Sequence, residues 1–127
     1  MTYSGSFSVE IEELRGWIEG SDRILVGAGA GLSAAAGMMG TGTRYEEAFP
    51  DFIAKYHDPS MYAAGFREYS CPEEKWAYWS RAIMMDRYEF EDNGTYAALR
   101  DLLKDRDYFV LTTNVDHCFQ RFGFDKT

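Results

Sequence analysis

At 127 residues the chain suffices for one domain with a buried core and is short for a two-domain enzyme, and its net charge of -8 argues against a general nucleic-acid or anionic-membrane binder, both of which need a basic footprint. Cys71 and Cys118 stand far apart with no C-x-x-C pair, so no disulfide framework and no metal site are read, and the inferred compartment is a reducing cytoplasm. Met1 to Glu10 lacks the basic-then-apolar pattern of a signal peptide, and no apolar run approaches the ~18 residues of a membrane span.

Taken in order, Ser8 is placed to cap a helix whose Ile11, Leu14, Trp17 and Ile18 fall on one face, with Gly20 closing it in the left-handed region. Ile24, Leu25 and Val26 then form a short β-branched-rich run, read as a buried parallel strand. It ends in a glycine turn at Gly27, Gly29 and Gly31, followed by a small-residue helix starting near Leu32. Glycine there permits positive φ and close approach of an anion to the backbone amides, so the turn reads as a phosphate cradle. Gly29-x-Gly31-x-x-Ala34 fits the dinucleotide fingerprint with alanine in its last place. The competing reading is a strand-to-helix turn whose small residues serve packing alone.

After Gly37 an ordinary dinucleotide fold would place a second strand; here Met38-Met39-Gly40-Thr41-Gly42-Thr43 follows instead, read as a lid loop over a nucleotide or as a plain connector. Residues 44–92 read as an all-helical, aromatic-rich insertion. Ala48, Phe52 and Tyr56 recur at helical spacing, and Asp58-Pro59-Ser60 starts a segment carrying Met61, Tyr62 and Phe66. Pro72-Glu73-Glu74 opens a further helix with Trp76, Trp79, Ile83 and Phe90 along one side. The rings are read as a small aromatic core rather than a ligand box, and His57 as a surface or capping residue.

Asn93 or Thr95 is expected to cap a helix with Tyr96, Leu99 and Leu103 on one face. Tyr108 to Thr112 is the second buried strand, and its carboxyl end delivers Thr113-Asn114-Val115-Asp116. Ligands of open parallel sheets sit beyond the carboxyl ends of strands, so this polar quartet and the glycine turn face one pocket if the strands are neighbours. An amide and a carboxylate suit a neutral hydrogen-bonding ligand such as ribose hydroxyls or a carboxamide; helix capping by Asn114 or Asp116 is the structural alternative.

Two separated stretches together resemble the sirtuin family. Gly29-Ala30-Gly31-Leu32-Ser33-Ala34-Ala35-Ala36-Gly37 is similar to its first motif, and Thr113-Asn114-Val115-Asp116 with Phe122-Gly123 to its second. The resemblance implies an α/β fold: a partial Rossmann-like parallel sheet of the DHS-like NAD/FAD-binding type, with an all-helical insertion after the first βα unit. It implies NAD as a consumed cosubstrate, cleaved between nicotinamide and ribose, with ADP-ribose passed to an acyl-lysine or a side chain. Gly29, Ala30, Gly31 and Ser33 would hold the phosphates and nearby ribose, with Thr113 beside them. Asn114 would sit at the nicotinamide ribose and its ordered water, and Asp116 at the carboxamide, these two being the catalytic pair.

The chain also departs from the family pattern. Met38-Met39-Gly40 follows Gly37 where the family has isoleucine, proline, aspartate, phenylalanine and arginine, and Thr113 replaces a glutamine. The histidine-glycine base motif, the four zinc cysteines and the later strands would lie past Thr127, and His117 is too early to be that histidine. The expectation is therefore the amino-terminal, NAD-binding part of a sirtuin-type transferase, incompetent for catalysis alone. Its altered first motif and aromatic insertion look most like the bacterial branch linked to macrodomains, which implies a protein substrate: an acyl-lysine or a lipoylated carrier protein. A non-catalytic NAD or ADP-ribose binding module is the alternative, and an oxidoreductase is disfavoured for want of a hydride-transfer partner. The sirtuin reading requires Ala30 and Asn114 to lie on the same side of the domain.

Overall fold

The computed structural model describes residues 5–127, with side chains from residue 8 onward. Helix α1 (Gly5–Glu19) leads to strand β1 (Ile24–Ala28) and the short helix α2 (Ala30–Ala35). Four helices follow, α3 (Thr43–Ala48), α4 (Pro50–Tyr56), α5 (Met61–Gly65) and α6 (Pro72–Ile83), the last running into a π-helical turn at Met84–Tyr88. Helix α7 (Thr95–Leu103), strand β2 (Tyr108–Thr112) and the single turn α8 (Cys118–Arg121) complete the order.

The two strands pair in parallel, Ile24 opposite Tyr108 through Ala28 opposite Thr112, so both carboxyl ends leave the sheet at one edge. The described chain is thus a mixed α/β structure around a two-stranded parallel sheet. Alternation along the strands sends Ile24, Val26, Tyr108 and Val110 into one core with Tyr96, Leu103, Phe119 and Phe124. The other face was expected to be buried too, and it is not. Leu25 is 69 % and Leu111 62 % exposed, with Phe109 beside them, because nothing among the described residues covers that face.

A second core lies within the helical stretch, where Tyr45, Phe49, Phe52, Met61, Ala64, Tyr78 and Ala82 are buried together. The rings meet edge to face or tilted, Phe52 against Tyr78 at 5.6 Å and Phe49 against Tyr78 at 4.9 Å between centroids. The turn between α3 and α4 comes at Phe49, where Pro50 has no N–H to continue the first helix and opens the second. His57 closes α4 in the left-handed region at φ 57°, in keeping with the capping role read for it.

Several side-chain assignments change. Helix α1 begins at Gly5, ahead of Ser8, so Ser8 does not cap it, and Gly20 is not at positive φ. The predicted apolar face of α1 is exposed, Trp17 at 65 %, with only Ile18 of the four named residues half-buried. On α6 the buried positions are Tyr78 and Ala82, while Trp76 and Ile83 face outward and Phe90 joins the sheet core. Tyr62 and Phe66 pack on each other at the surface. Neither Asn93 nor Thr95 alone caps α7: both Asp92 oxygens accept from the Tyr96 and Ala97 amides, and Asn93 Oδ1 accepts from the Thr95 amide.

Candidate functional site

The glycine turn and the β2 exit meet. Because β1 and β2 are adjacent and parallel, the loops leaving their carboxyl ends are neighbours, and side chains from α2 and residues 113–116 interlock. Asn114 Nδ2 donates to the Gly29 carbonyl at 3.0 Å and to Ser33 Oγ at 2.9 Å. Ser33 Oγ in turn donates to Asp116 Oδ2 at 2.6 Å and lies 3.2 Å from the Tyr96 hydroxyl.

Ser33 is 4 % exposed, and its hydrogen-bonding capacity is filled. A hydroxyl has one proton and two lone pairs; here the proton goes to Asp116 and the lone pairs take Asn114 and Tyr96. Tyr96 is therefore the donor, and burial, which pushes its pKa to about 12, keeps it protonated for that purpose. Cys118 next to it is also pushed up to about 12, first by burial and then by the Asp116 carboxylate, so it is a neutral packing thiol rather than a nucleophile.

The network leaves defined atoms for a ligand. Both N–H groups of Asn114 are spent, so its carbonyl Oδ1 is the acceptor it can offer. Each Asp116 oxygen holds one described donor, Ser33 on Oδ2 and the Cys118 amide on Oδ1, and a carboxylate has further lone pairs. Asp116 therefore caps the α8 turn and also reaches the adjacent space. Thr113 is exposed, with no described hydrogen bond from its side chain, and Val115 points outward beside it. Thr112 Oγ1 accepts from the Asn114 amide at 3.1 Å and so sets the bend that turns Asn114 toward the glycines.

Of the two reasons expected for glycine at the turn, one is not used. None of Gly27, Gly29 and Gly31 has positive φ, and Gly29 is extended at φ -133°. What they share is room: a Cβ at any of the three would meet nothing within 4 Å. Helix α2 starts at Ala30, two residues before the expected place, and Gly29 supplies no side-chain cap to its first amides. The backbone of 29–31 is thus bare and open beside Asn114.

A cavity of about 310 Å³ adjoins this network, walled by Trp79, Ala82 and Ile83 of α6, Asp86 and Arg87 of the π-turn, and Val115 and Asp116. The sequence reading missed this wall and missed Tyr96 beneath Ser33; both lie far along the chain from the motifs, and only the fold brings them in. Loop 38–42 is irregular, as read, and is held by backbone pairing of Met61 N to Gly40 O at 2.8 Å and by Arg44 Nη1 to Met39 O at 3.2 Å. Among the described residues no group of His, Cys, Asp and Glu is placed to hold a metal, and no helix is long and apolar enough to cross a membrane.

No family model matches the chain. It is 37 % identical over 118 residues to a protein of Staphylococcus aureus named protein ADP-ribosyltransferase, an alignment covering 93 % of this chain and 38 % of that relative. It is 33 % identical over 129 positions to a protein of Fusarium oxysporum f. sp. cubense named probable bifunctional ADP-ribose hydrolase/ADP-ribosyltransferase, covering 98 % of this chain and 21 % of the relative. The chain thus spans well under half the length of either. Together these similarities support an ADP-ribosyltransferase-like family for the chain.

Proposed function

We propose that this chain carries the nucleotide-binding half of a sirtuin-type transferase that consumes NAD and passes ADP-ribose to a protein substrate, in a cytoplasmic setting. The observation that supports it most is the Ser33 hydroxyl, which ties the Asn114 amide and the Asp116 carboxylate of one motif to the glycine turn of the other. The residues fit the ligand. Open space over Gly27, Gly29 and Gly31 admits a diphosphate against bare amides, and any side chain there would fill it.

NAD supplies a glycosidic bond between nicotinamide and ribose that breaks with the pair of electrons leaving on nicotinamide. The chain's part is orientation. Asn114 Oδ1 is the free acceptor for a ribose hydroxyl or a water, held still because its amide nitrogen is bonded twice. Asp116 accepts from a carboxamide N–H while Ser33 and the Cys118 amide fix the carboxylate plane. Gly29, Ala30 and Gly31 present backbone to the phosphates, with Thr113 on the exposed rim. The names of the two relatives agree with ADP-ribose transfer as the reaction class.

The test is titration with NAD, by calorimetry and by assay of released nicotinamide, on this chain and on the longest gene product that contains it. Gly29→Ala is the discriminating variant: its Cβ meets nothing in the protein and its φ is open to any residue, so the fold stays within about 0.5 kcal/mol. NAD affinity should nevertheless fall about tenfold or more, a loss of ~1.4 kcal/mol. Asn114→Ala should stop nicotinamide release. Binding without release in the longer protein would instead identify a non-catalytic NAD or ADP-ribose module, and unchanged NAD affinity in Gly29→Ala would sink both readings.

A further inference from the structure

The sequence offers Asn93 as a cap for α7, yet its side-chain amide and its backbone amide both donate to the end of α2. Six residues are too few to sustain a helix by themselves, so α2 stays in place only as far as its surroundings hold it. Part of its last turn closes locally: Gly37 at φ 107° lets the Met38 amide return to the Ser33 carbonyl at 2.8 Å, and the Gly37 amide meets Ala34 O at 3.0 Å. Among the described residues the next two carbonyls find no local donor. Ala35 O accepts from Asn93 Nδ2 at 2.9 Å, and Ala36 O from the Asn93 backbone amide at 3.3 Å. The side chain is held in that orientation, because its Oδ1 accepts from the Thr95 amide at 3.2 Å and from Thr95 Oγ1 at 2.7 Å.

We propose that Asn93 is a positioning residue for the nucleotide site, a role that rests on the NAD reading given above. It touches none of the atoms assigned to NAD and acts through α2. Asn114 holds Gly29 O at one end of the helix, the Ser33 hydroxyl joins Asn114, Asp116 and Tyr96 in the middle, and Asn93 holds the other end. With the last point released, the helix is free to tilt about Ser33, and a tilt moves the glycine turn relative to Asn114 and Asp116. Helix α7 does not need Asn93 for its own start, since both Asp92 oxygens accept from the Tyr96 and Ala97 amides. Capping and positioning make different demands on residue 93. A cap needs an oxygen that accepts from Thr95, and positioning needs an N–H that donates to Ala35.

Asn93→Asp separates the two roles: it keeps an acceptor for Thr95 and sets a carboxylate oxygen against the Ala35 carbonyl, whereas Asn93→Ala removes both. Residue 93 is exposed and belongs to neither core, so both variants fold. Each is titrated with NAD by calorimetry, in this chain and in the longest gene product that contains it, beside urea unfolding and backbone hydrogen exchange of the ligand-free protein. Asn93→Asp should unfold close to the parent midpoint yet bind NAD about tenfold more weakly, no better than Asn93→Ala. Exchange should quicken at residues 30–36 and stay unchanged in α7. Parent-like NAD affinity in Asn93→Asp, or unchanged exchange in α2, would overturn the proposal and leave the NAD reading standing. A parent protein that takes up no NAD would end the NAD reading itself, and the positioning role with it.

Discussion

Replacing Ser33 with alanine removes one oxygen and leaves three groups to find new partners, and the structure gives the cost of each. Tyr96 is fully buried, and the Ser33 oxygen at 3.2 Å is the described acceptor of its hydroxyl; orphaning that group costs about 1–3 kcal/mol. Asp116 loses its 2.6 Å donor but keeps the Cys118 amide and is only half-buried, so water moderates its loss to about 1 kcal/mol. Asn114 keeps the Gly29 carbonyl and adds little. The expected total is about 2–4 kcal/mol, a large share of the ~5–15 kcal/mol by which ordinary domains are stable. Tyr96→Phe alone should cost only about 1 kcal/mol, because Ser33 retains a donor and an acceptor. The double variant should therefore be more stable than the sum of the singles predicts by about 1–2 kcal/mol, since phenylalanine removes the orphan that alanine creates. Urea unfolding followed by circular dichroism measures all four corners of the cycle. Additive costs, to within about 0.5 kcal/mol, would show that Ser33 and Tyr96 do not share a hydrogen bond.

Acid should act through the helical stretch. Glu74 accepts from Lys55, Tyr56 and Ser70, which hold its carboxyl down at about 2 against an ordinary value of 4.5. A carboxyl depressed on folding lends stability that is complete above its unfolded pKa and is lost as pH falls through the folded one, so the window runs from pH 4.5 down to about 2. Glu74→Gln should flatten the curve of stability against pH within that window and leave its slope above pH 6 unchanged; an unaltered acid limb would contradict the assignment. Tyr45 provides the opposite case: its hydroxyl is buried without a partner, so Tyr45→Phe should hold or raise the unfolding midpoint, by up to about 1 kcal/mol, and a loss of more than about 1 kcal/mol would mean that the hydroxyl is bonded.

Which parts could be read from sequence follows from how local their causes are. The parallel strands at Ile24 and Tyr108 were legible because an apolar run ending in glycine or polar residues is a local signal, and α6 because Pro72 and its acids mark a helix start. The meeting of Asn114 with the glycine turn was legible one step further, since adjacent parallel strands put their exits side by side. Facing was harder. Trp76 and Tyr78 are both large and aromatic on one helix, and only contact with Phe49 at the α3–α4 turn and Phe52 of α4 decides that Tyr78 is the buried one. The glycines show the limit most clearly: freedom in φ and room for close approach were both expected, while the backbone at Gly29 is ordinary and what distinguishes it is open space in which a Cβ would meet nothing. Sequence cannot tell these apart, because both select the same residue.

Arg44 ties the two halves of the site into one mechanical unit. Its Nη1 donates to Met39 O in the loop after α2, and its Nη2 to Met85 O at 3.3 Å and to Asp86 at 2.7 Å in the π-turn. One planar guanidinium thus spans the loop next to the glycine helix and the wall of the cavity that Arg87 enters. A π-turn carries one residue more than an α-turn, and the Arg44 fork donates to two acceptors of that bulge, the Met85 carbonyl and the Asp86 carboxylate. Loop 38–42 therefore cannot shift without either dragging residues 85–86 or breaking the fork. Side-chain charge alone would not make this link: an ammonium has no planar fork to hold three acceptors on two elements at once.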